Sequence, residues 1–153
     1  ARLAGAAKVI VCDIHDRPLE MARTVGADEV VRSDQVDVRT LADVADVAIE
    51  AAGSPVALAT CLASAKRGAR VMQVGTLPPE IPFPANSIMA RELDYRGVFR
   101  AHLAFDWAVQ AIRTRRVDVR PLISAQLPLS RALEAFELAA DKTRSTKVQV
   151  ISE

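Results

Sequence analysis

The sequence is short of the residues that would place it in several large classes of protein. It has only two cysteines, Cys12 and Cys61, in 153 residues. They lie far apart with no CxxC pair, so they read as small apolar residues buried in a central strand and a helix, not as a disulfide or metal ligands. His15 and His102 stand equally alone, and a zinc site needs three or four converging ligands, which no cluster here supplies at ligand spacing. Charge of one sign is missing as well, because 20 Lys and Arg against 19 Asp and Glu leave a net charge of +1. The cations are spread along the chain without a basic patch, so nothing points to a nucleic-acid or anionic-membrane partner. Apolar runs are strand-sized and soon interrupted by charge, so these residues hold neither a transmembrane helix nor a signal h-region, and a cytoplasmic protein is expected. Internal repeats, flexible linkers, a Walker loop, a Ser/His/Asp or Cys/His arrangement and a carboxylate pair spaced for acid–base work are all absent.

Half of the residues are apolar, enough for one sizeable core and hence a single globular domain. The most informative stretch is KVIVCDIHDRPLEMARTVGADEVV, residues 8–31. Lys8 to Cys12 reads as a strand too apolar to have a wet face, and it ends on one acid, Asp13, as a buried parallel strand does when it delivers a carboxylate to a ligand edge. Asp16 stands where a helix N-cap belongs, and Pro18, Met21, Ala22 and Val25 repeat at helical spacing until Gly26. A second strand, Asp28 to Val31, follows at once. Strand, acid, helix, glycine, strand is a βαβ unit of a dinucleotide-binding fold.

The alternation continues to the end of the chain. A short helix is expected at Arg39–Val44, a strand at Asp46–Ala52, and a helix from Pro55 to about Lys66, capped by Ser54 and left at Gly68. A strand at Ala69–Val74 closes on Gly75, and the prolines of LPPEIPFP, residues 77–84, make a stiff loop. A strand at Leu93–Phe99, an amphipathic helix at Leu103–Arg115, an extended piece between Pro121 and Pro128, a helix opened by Ser130 and a strand at Lys147–Ile151 complete the pattern. The fold class is α/β, a doubly wound (Rossmann) parallel sheet with helices on both faces. In such sheets the ligand lies across the carboxyl ends of the strands, where residues without bulk, such as Gly53 and Gly75, let the backbone come close.

Four charged residues stand where such a ligand would lie. Asp13 can accept two hydrogen bonds from the hydroxyls of an adenosine ribose, or it can merely cap its own turn together with Asp16. A 2′-phosphate beside it would bring like charges together, which favours NAD over NADP. Arg17, at the helix start, can stack on an adenine face or remain a solvated arginine. Glu50 is an acid inside an apolar strand and must be paired or hydrogen-bonded; a structural role at the sheet edge is expected of it in preference to a ligand contact. Arg100 follows a strand end where a phosphate or carboxamide can lie.

The stretches VIVCDIHDRPLEMARTVGADEVV, VAIEAAGSP, GARVMQVGT, ELDYRGVFR and VRPLISAQLPLSRALEAFELA, in this order, resemble the zinc-dependent medium-chain dehydrogenases of the polyol (sorbitol-type) branch. The resemblance covers essentially all 153 residues. It implies hydride transfer between NAD and a secondary alcohol of a polyol or sugar acid, with zinc polarising the alcohol oxygen in the full-length enzyme. Asp13 would hold the adenosine ribose, Arg17 would lie by the adenine, and Ala52 and Gly53 would line the adenosine side. Val74, Gly75, Thr76, Val98, Phe99 and Arg100 would approach the nicotinamide end. No residue matches a zinc ligand of the family. The first strand of that fold, its GxGxxG turn and the zinc-bearing domain have no counterpart here, so residues 1–153 would be part of a dinucleotide-binding domain, truncated at its N-terminus. Ala1 to Gly5 would end the helix that those glycines open. In the strand order 3-2-1-4-5-6 the missing strand is central, so these residues alone should be poorly stable and inactive. Residues 119–153 would be a tail returning towards the catalytic domain, with Lys147–Ile151 left unpaired. A homo-oligomer is implied for the full-length enzyme. Two other readings share the ribose-binding acid, a non-catalytic Rossmann module that senses a nucleotide and a methyltransferase.

Overall fold

The structure, a computed structural model, describes residues 1–101 and 104–152. His102 and the expected first residue of the amphipathic helix, Leu103, lie outside the described residues. In chain order the elements are β1 (Ile10–Asp13), α1 (Asp16–Thr24), β2 (Glu29–Arg32), β3 (Ala45–Glu50), α2 (Pro55–Ser64), β4 (Ala65–Gln73), α3 (Ala85–Ala90), β5 (Asp94–Gly97), α4 (Ala104–Arg113), β6 (Ile123–Pro128), α5 (Ala132–Ala140) and β7 (Lys147–Ile151). Every strand pair is parallel, in the orders β1-β2, β3-β4-β5 and β6-β7. The chain forms two compact units, residues 1–36 with 103–153 and residues 37–102.

In the first unit, α1 links β1 to β2 and buries Leu19 and Ala22. The entry to β2 is tied back by Asp28, which accepts the Val9 N–H at 2.6 Å and the Arg2 guanidinium; the Val9 bond first and then Arg2 hold its carboxyl below the usual range. β1 does not lack a wet face as expected, since Cys12 is exposed and none of its residues is fully buried. Its one partner among the described strands is β2, so a single edge is covered. Asp16 is not the N-cap either. It is the first helical residue, and His15 occupies the cap with its N–H donated to Asp13 Oδ1 at 2.9 Å. β7, expected to be unpaired, runs parallel to β6 from Lys147 opposite Ile123 to Ile151 opposite Pro128. α5 packs against both β6 and β7, and Ala135 of α5 and Leu127 of β6 are buried.

In the second unit, α2 lies on β3 and β4, where Leu58, Leu62, Ala48, Ala69 and Val71 form the core with Leu93. Each buried leucine contributes about 1.5–3 kcal/mol. β3 alternates with the strand period: Ala48 and Glu50 are buried, Val47 and Ile49 exposed. Ser54 takes the N-cap of α2 through its main-chain carbonyl, which accepts the Leu58 N–H at 2.9 Å, and not through its hydroxyl. α2 stops at Ser64 and β4 starts at once, so Gly68 sits inside a strand instead of marking a helix exit. Arg91 closes the end of α2 by donating to the carbonyls of Leu62, at 2.6 Å, and Ala65. The proline-rich loop is anchored by Leu77 and Ile81 against the core and by Phe83, whose ring meets Tyr95 edge-on at 5.2 Å.

Candidate functional site

Three neighbouring parallel strands of the second unit end level with one another, because the register places Glu50 opposite Gln73 and Gln73 opposite Gly97. The loops that leave them, residues 51–54, 74–76 and 98–100, therefore emerge at one sheet edge. These are the loops that the sequence reading assigned to a ligand. Ala52, Gly53, Val74, Gly75, Thr76, Val98, Phe99 and Arg100 are brought together there as ends of adjacent strands.

The first two loops touch through their main chains. A Cβ at Gly53 would stand 2.6 Å from the Thr76 carbonyl oxygen, and one at Gly75 would stand 2.7 Å from Gly53 Cα and nearer still to the Gly53 nitrogen and Glu50 Oε2. Gly53 also has φ +70°, a left-handed conformation that other residues adopt at a cost. Both positions thus require glycine for a reason that is local and steric.

Glu50 lies beneath this contact, with only 1% of its surface exposed. Its Oε1 accepts the N–H groups of Ala52 at 2.9 Å, Gly53 at 2.7 Å and Ser54 at 3.4 Å. Its main-chain oxygen accepts those of Val74 at 2.8 Å and Gly75 at 3.0 Å. Oε2 is buried without a hydrogen-bond partner among the described residues. The expectation that Glu50 is structural agrees with this geometry. Gln73 and Tyr95 were not singled out from the sequence, although a glutamine inside an apolar strand was a visible signal. The Tyr95 hydroxyl donates to Gln73 Oε1, and Gln73 Nε2 donates to the Gly75 carbonyl at 3.1 Å. Burial first, then the neighbouring Glu50 and Cys61, push the Tyr95 phenol above its ordinary range.

The third loop is more open. Val98 donates its N–H to the Gln73 carbonyl at 2.8 Å, Phe99 is 84% exposed, and the Arg100 guanidinium lies 5.1 Å from the centre of the Phe99 ring. Arg100 has φ +57°, which turns the chain sharply at this point.

Asp13 and Arg17 belong to the first unit. Asp13 ends β1, and one of its oxygens caps its own turn through the His15 N–H, not through Asp16. Its other oxygen takes no hydrogen bond from another described residue. Arg17 does not stand free in solvent, because its Nη2 lies 3.4 Å from the Ser124 hydroxyl and its Nε is buried without a partner among the described residues. It lines a cavity of about 370 Å³ with Ile14, His15, Asp16, Glu20, Arg32 and Thr143. Arg32 is held there by Asp34 and by Asp16, at 2.9 and 2.6 Å, and both keep its guanidinium charged. Among the described residues no group of three or more His, Cys, Asp or Glu converges, so this set does not fit a zinc ion.

Comparison with known proteins agrees with the fold. Residues 1–114 match the family described as zinc-binding dehydrogenase. L-idonate 5-dehydrogenase (NAD(P)(+)) of Escherichia coli (strain K12) is 31% identical over 150 residues, covering 96% of this chain and 44% of that protein. Sorbitol dehydrogenase of Rattus norvegicus is 32% identical over 150 residues, with 91% and 41% covered. The crystal structure of the Escherichia coli L-idonate 5-dehydrogenase superposes with a TM-score of 0.91 at 30% identity, over 98% of this chain and 44% of that one. The chain thus spans less than half the length of the relatives it matches. With the parallel strands and their level loops, these matches show that the chain belongs to the zinc-binding dehydrogenase family.

Proposed function

We propose that these residues are the cofactor-binding part of an NAD-dependent dehydrogenase that oxidises a secondary alcohol of a polyol or sugar acid, L-idonate-like in kind. The observation that carries this reading is the set of three loops at the ends of β3, β4 and β5, two of them locked together by glycines that leave the main chain bare. A bare main chain is what a dinucleotide needs for close approach. Ala52 and Gly53 serve the adenosine side; Val74, Gly75, Thr76, Val98, Phe99 and Arg100 serve the nicotinamide end. Asp13 accepts from the adenosine ribose with its open oxygen. Arg17, already engaged near Ser124, borders the adenine with its flat guanidinium. Bound NAD supplies the hydride acceptor, and these residues supply position and exclusion of water.

NAD is preferred to NADP in this reading for two reasons. Asp13 would repel a 2′-phosphate, and Arg32, which stands opposite Asp13 in the β1–β2 register, is committed to Asp16 and Asp34. Zinc, which polarises the alcohol oxygen in such enzymes, would take its ligands from outside these residues, and no step is assigned to it. Residues 119–153 are the tail that returns towards a catalytic domain. The full-length protein is a cytoplasmic homo-oligomer with a small-molecule substrate and no nucleic-acid or membrane partner.

The test is the NAD-to-NADP preference of the full-length protein, measured as a ratio of kcat/KM before and after Asp13→Ala. The ratio should favour NAD and fall by about tenfold or more, as expected when a ribose-bound carboxylate is lost. An unchanged ratio removes Asp13 from this role.

A further inference from the structure

We propose that Glu50 is a positioning residue that fixes loops 52–54 and 74–75 as one ligand platform, an inference that rests on the dinucleotide reading above. One residue holds both loops, and it does so with two different groups. The side chain gathers the Ala52, Gly53 and Ser54 N–H groups on Oε1, while the main-chain oxygen takes those of Val74 and Gly75.

A stability role alone does not account for a glutamate here. Its neighbours in β3 are apolar, it is 1% exposed, and Oε2 finds no donor among the described residues. Burying a carboxylate with one oxygen unsatisfied is costly, and an apolar residue would suit the core face of this strand better. What the acid supplies instead is hydrogen-bonded order in a three-residue segment otherwise held by the close packing of Gly53 against Gly75 and Thr76. Beyond Oε1, the segment's further main-chain bond among the described residues is the Ser54 carbonyl to the Leu58 N–H. Loop 74–75 is different. The Gly75 carbonyl is also held by Gln73, itself bound by Tyr95.

The two loops therefore depend on Glu50 unequally. Removing the side chain frees residues 52–54 and leaves the main-chain bonds to 74–75 in place. Loop 52–54 serves the adenosine side, so the loss falls on cofactor affinity and not on the chemical step.

The experiment uses the full-length protein with Glu50→Ala, Glu50→Asp and Glu50→Gln. Three quantities are read: binding of NADH and of ADP-ribose, amide hydrogen exchange at residues 52–54, and kcat at saturating NAD. Glu50→Ala and Glu50→Asp, which shortens the reach by one methylene, should both raise the Kd for NADH and ADP-ribose by about tenfold or more and speed exchange at 52–54, because three bonds to a carboxylate are lost. Saturated kcat should stay within about twofold, and Glu50→Gln, which keeps an acceptor in place of Oε1, should restore the Kd to within about threefold. A folded Glu50→Asp protein with unchanged Kd and unchanged exchange overturns the proposal, as does a fall in kcat with cofactor affinity intact. Should Glu50→Ala fail to fold, the Asp and Gln variants decide. If the unaltered protein binds neither NADH nor ADP-ribose, the dinucleotide reading fails, and exchange at 52–54 alone decides the role of Glu50.

Discussion

Two glycines of the second unit provide a matched pair for testing how the loops are held. Neither Gly75 nor Gly97 has a positive φ, so alanine strains the backbone at neither. They differ in what a methyl group would meet. At Gly97, the last residue of β5, nothing lies within 4 Å of the added carbon. At Gly75 the carbon would collide with the Gly53 main chain and with Glu50 Oε2. These are backbone and a buried carboxylate, not the tip of a flexible side chain, so the loops must part. Overpacking of this kind costs about 1–3 kcal/mol, and separating Gly53 from Glu50 forfeits a charge-assisted bond worth about 1.5–3 kcal/mol, so roughly 3 kcal/mol is expected for Gly75→Ala. Gly97→Ala should instead stabilise by up to about 1 kcal/mol, because a glycine inside a strand loses more freedom on folding. Urea unfolding of the full-length protein, followed by midpoint and slope, measures both. Midpoints that coincide for the two variants would refute the claim that the Gly53–Gly75 contact is tight and structural.

Further outcomes follow from the same packing. Arg91→Ala leaves the Leu62 and Ala65 carbonyls without their donor and Asp43 without its partner, so a loss of about 1.5–3 kcal/mol is expected in urea unfolding, with Arg91→Lys failing to restore it because a single ammonium lacks the fork that spans these acceptors. Tyr95 is the only tyrosine of these residues, and its phenol is raised by burial, then by Glu50 and Cys61. A raised folded value means that its contribution to stability is complete below the ordinary phenol pKa of about 10 and is lost as pH climbs through the folded value. The absorbance difference between the unaltered protein and Tyr95→Phe should therefore titrate above that ordinary value, and it should titrate lower in Glu50→Gln. A titration at the ordinary value would contradict the packing of the phenol beside Glu50. Leu58→Ala, at a site 2% exposed, should cost about 2–5 kcal/mol by the same unfolding assay; a loss under 1 kcal/mol would show that α2 does not form the core.

What could be read from the residues divides by range. The βαβ unit at residues 8–31 was legible because its signals are local: an apolar run, a single acid, helical spacing and a closing glycine. The glycines after β3 and β4 were legible for the same reason. Errors arose where neighbours in space decide. Whether β1 has a wet face depends on what packs over it, and Cys12 is exposed. Asp16 lost the cap to His15, which keeps an extended backbone and donates its N–H to Asp13. Gly68 suggested a helix exit, yet parallel pairing of Ala45 with Ala65 draws β4 back to the end of α2. Lys147–Ile151 finds β6 more than twenty positions away, a pairing that alternation alone does not reveal. For Glu50, an acid in an apolar strand was visible, but the loops it holds depend on the sharp turn at Gly53 and on the register that sets Glu50 opposite Gln73.

The central claim is that the loops at the ends of β3 and β4 receive the dinucleotide. Hydrogen exchange of the full-length protein with and without saturating NAD tests it most directly. Slower exchange on binding, concentrated in residues 51–54 and 74–76, is the result predicted. Unchanged exchange in both loops, in a protein that demonstrably binds NAD, would contradict it.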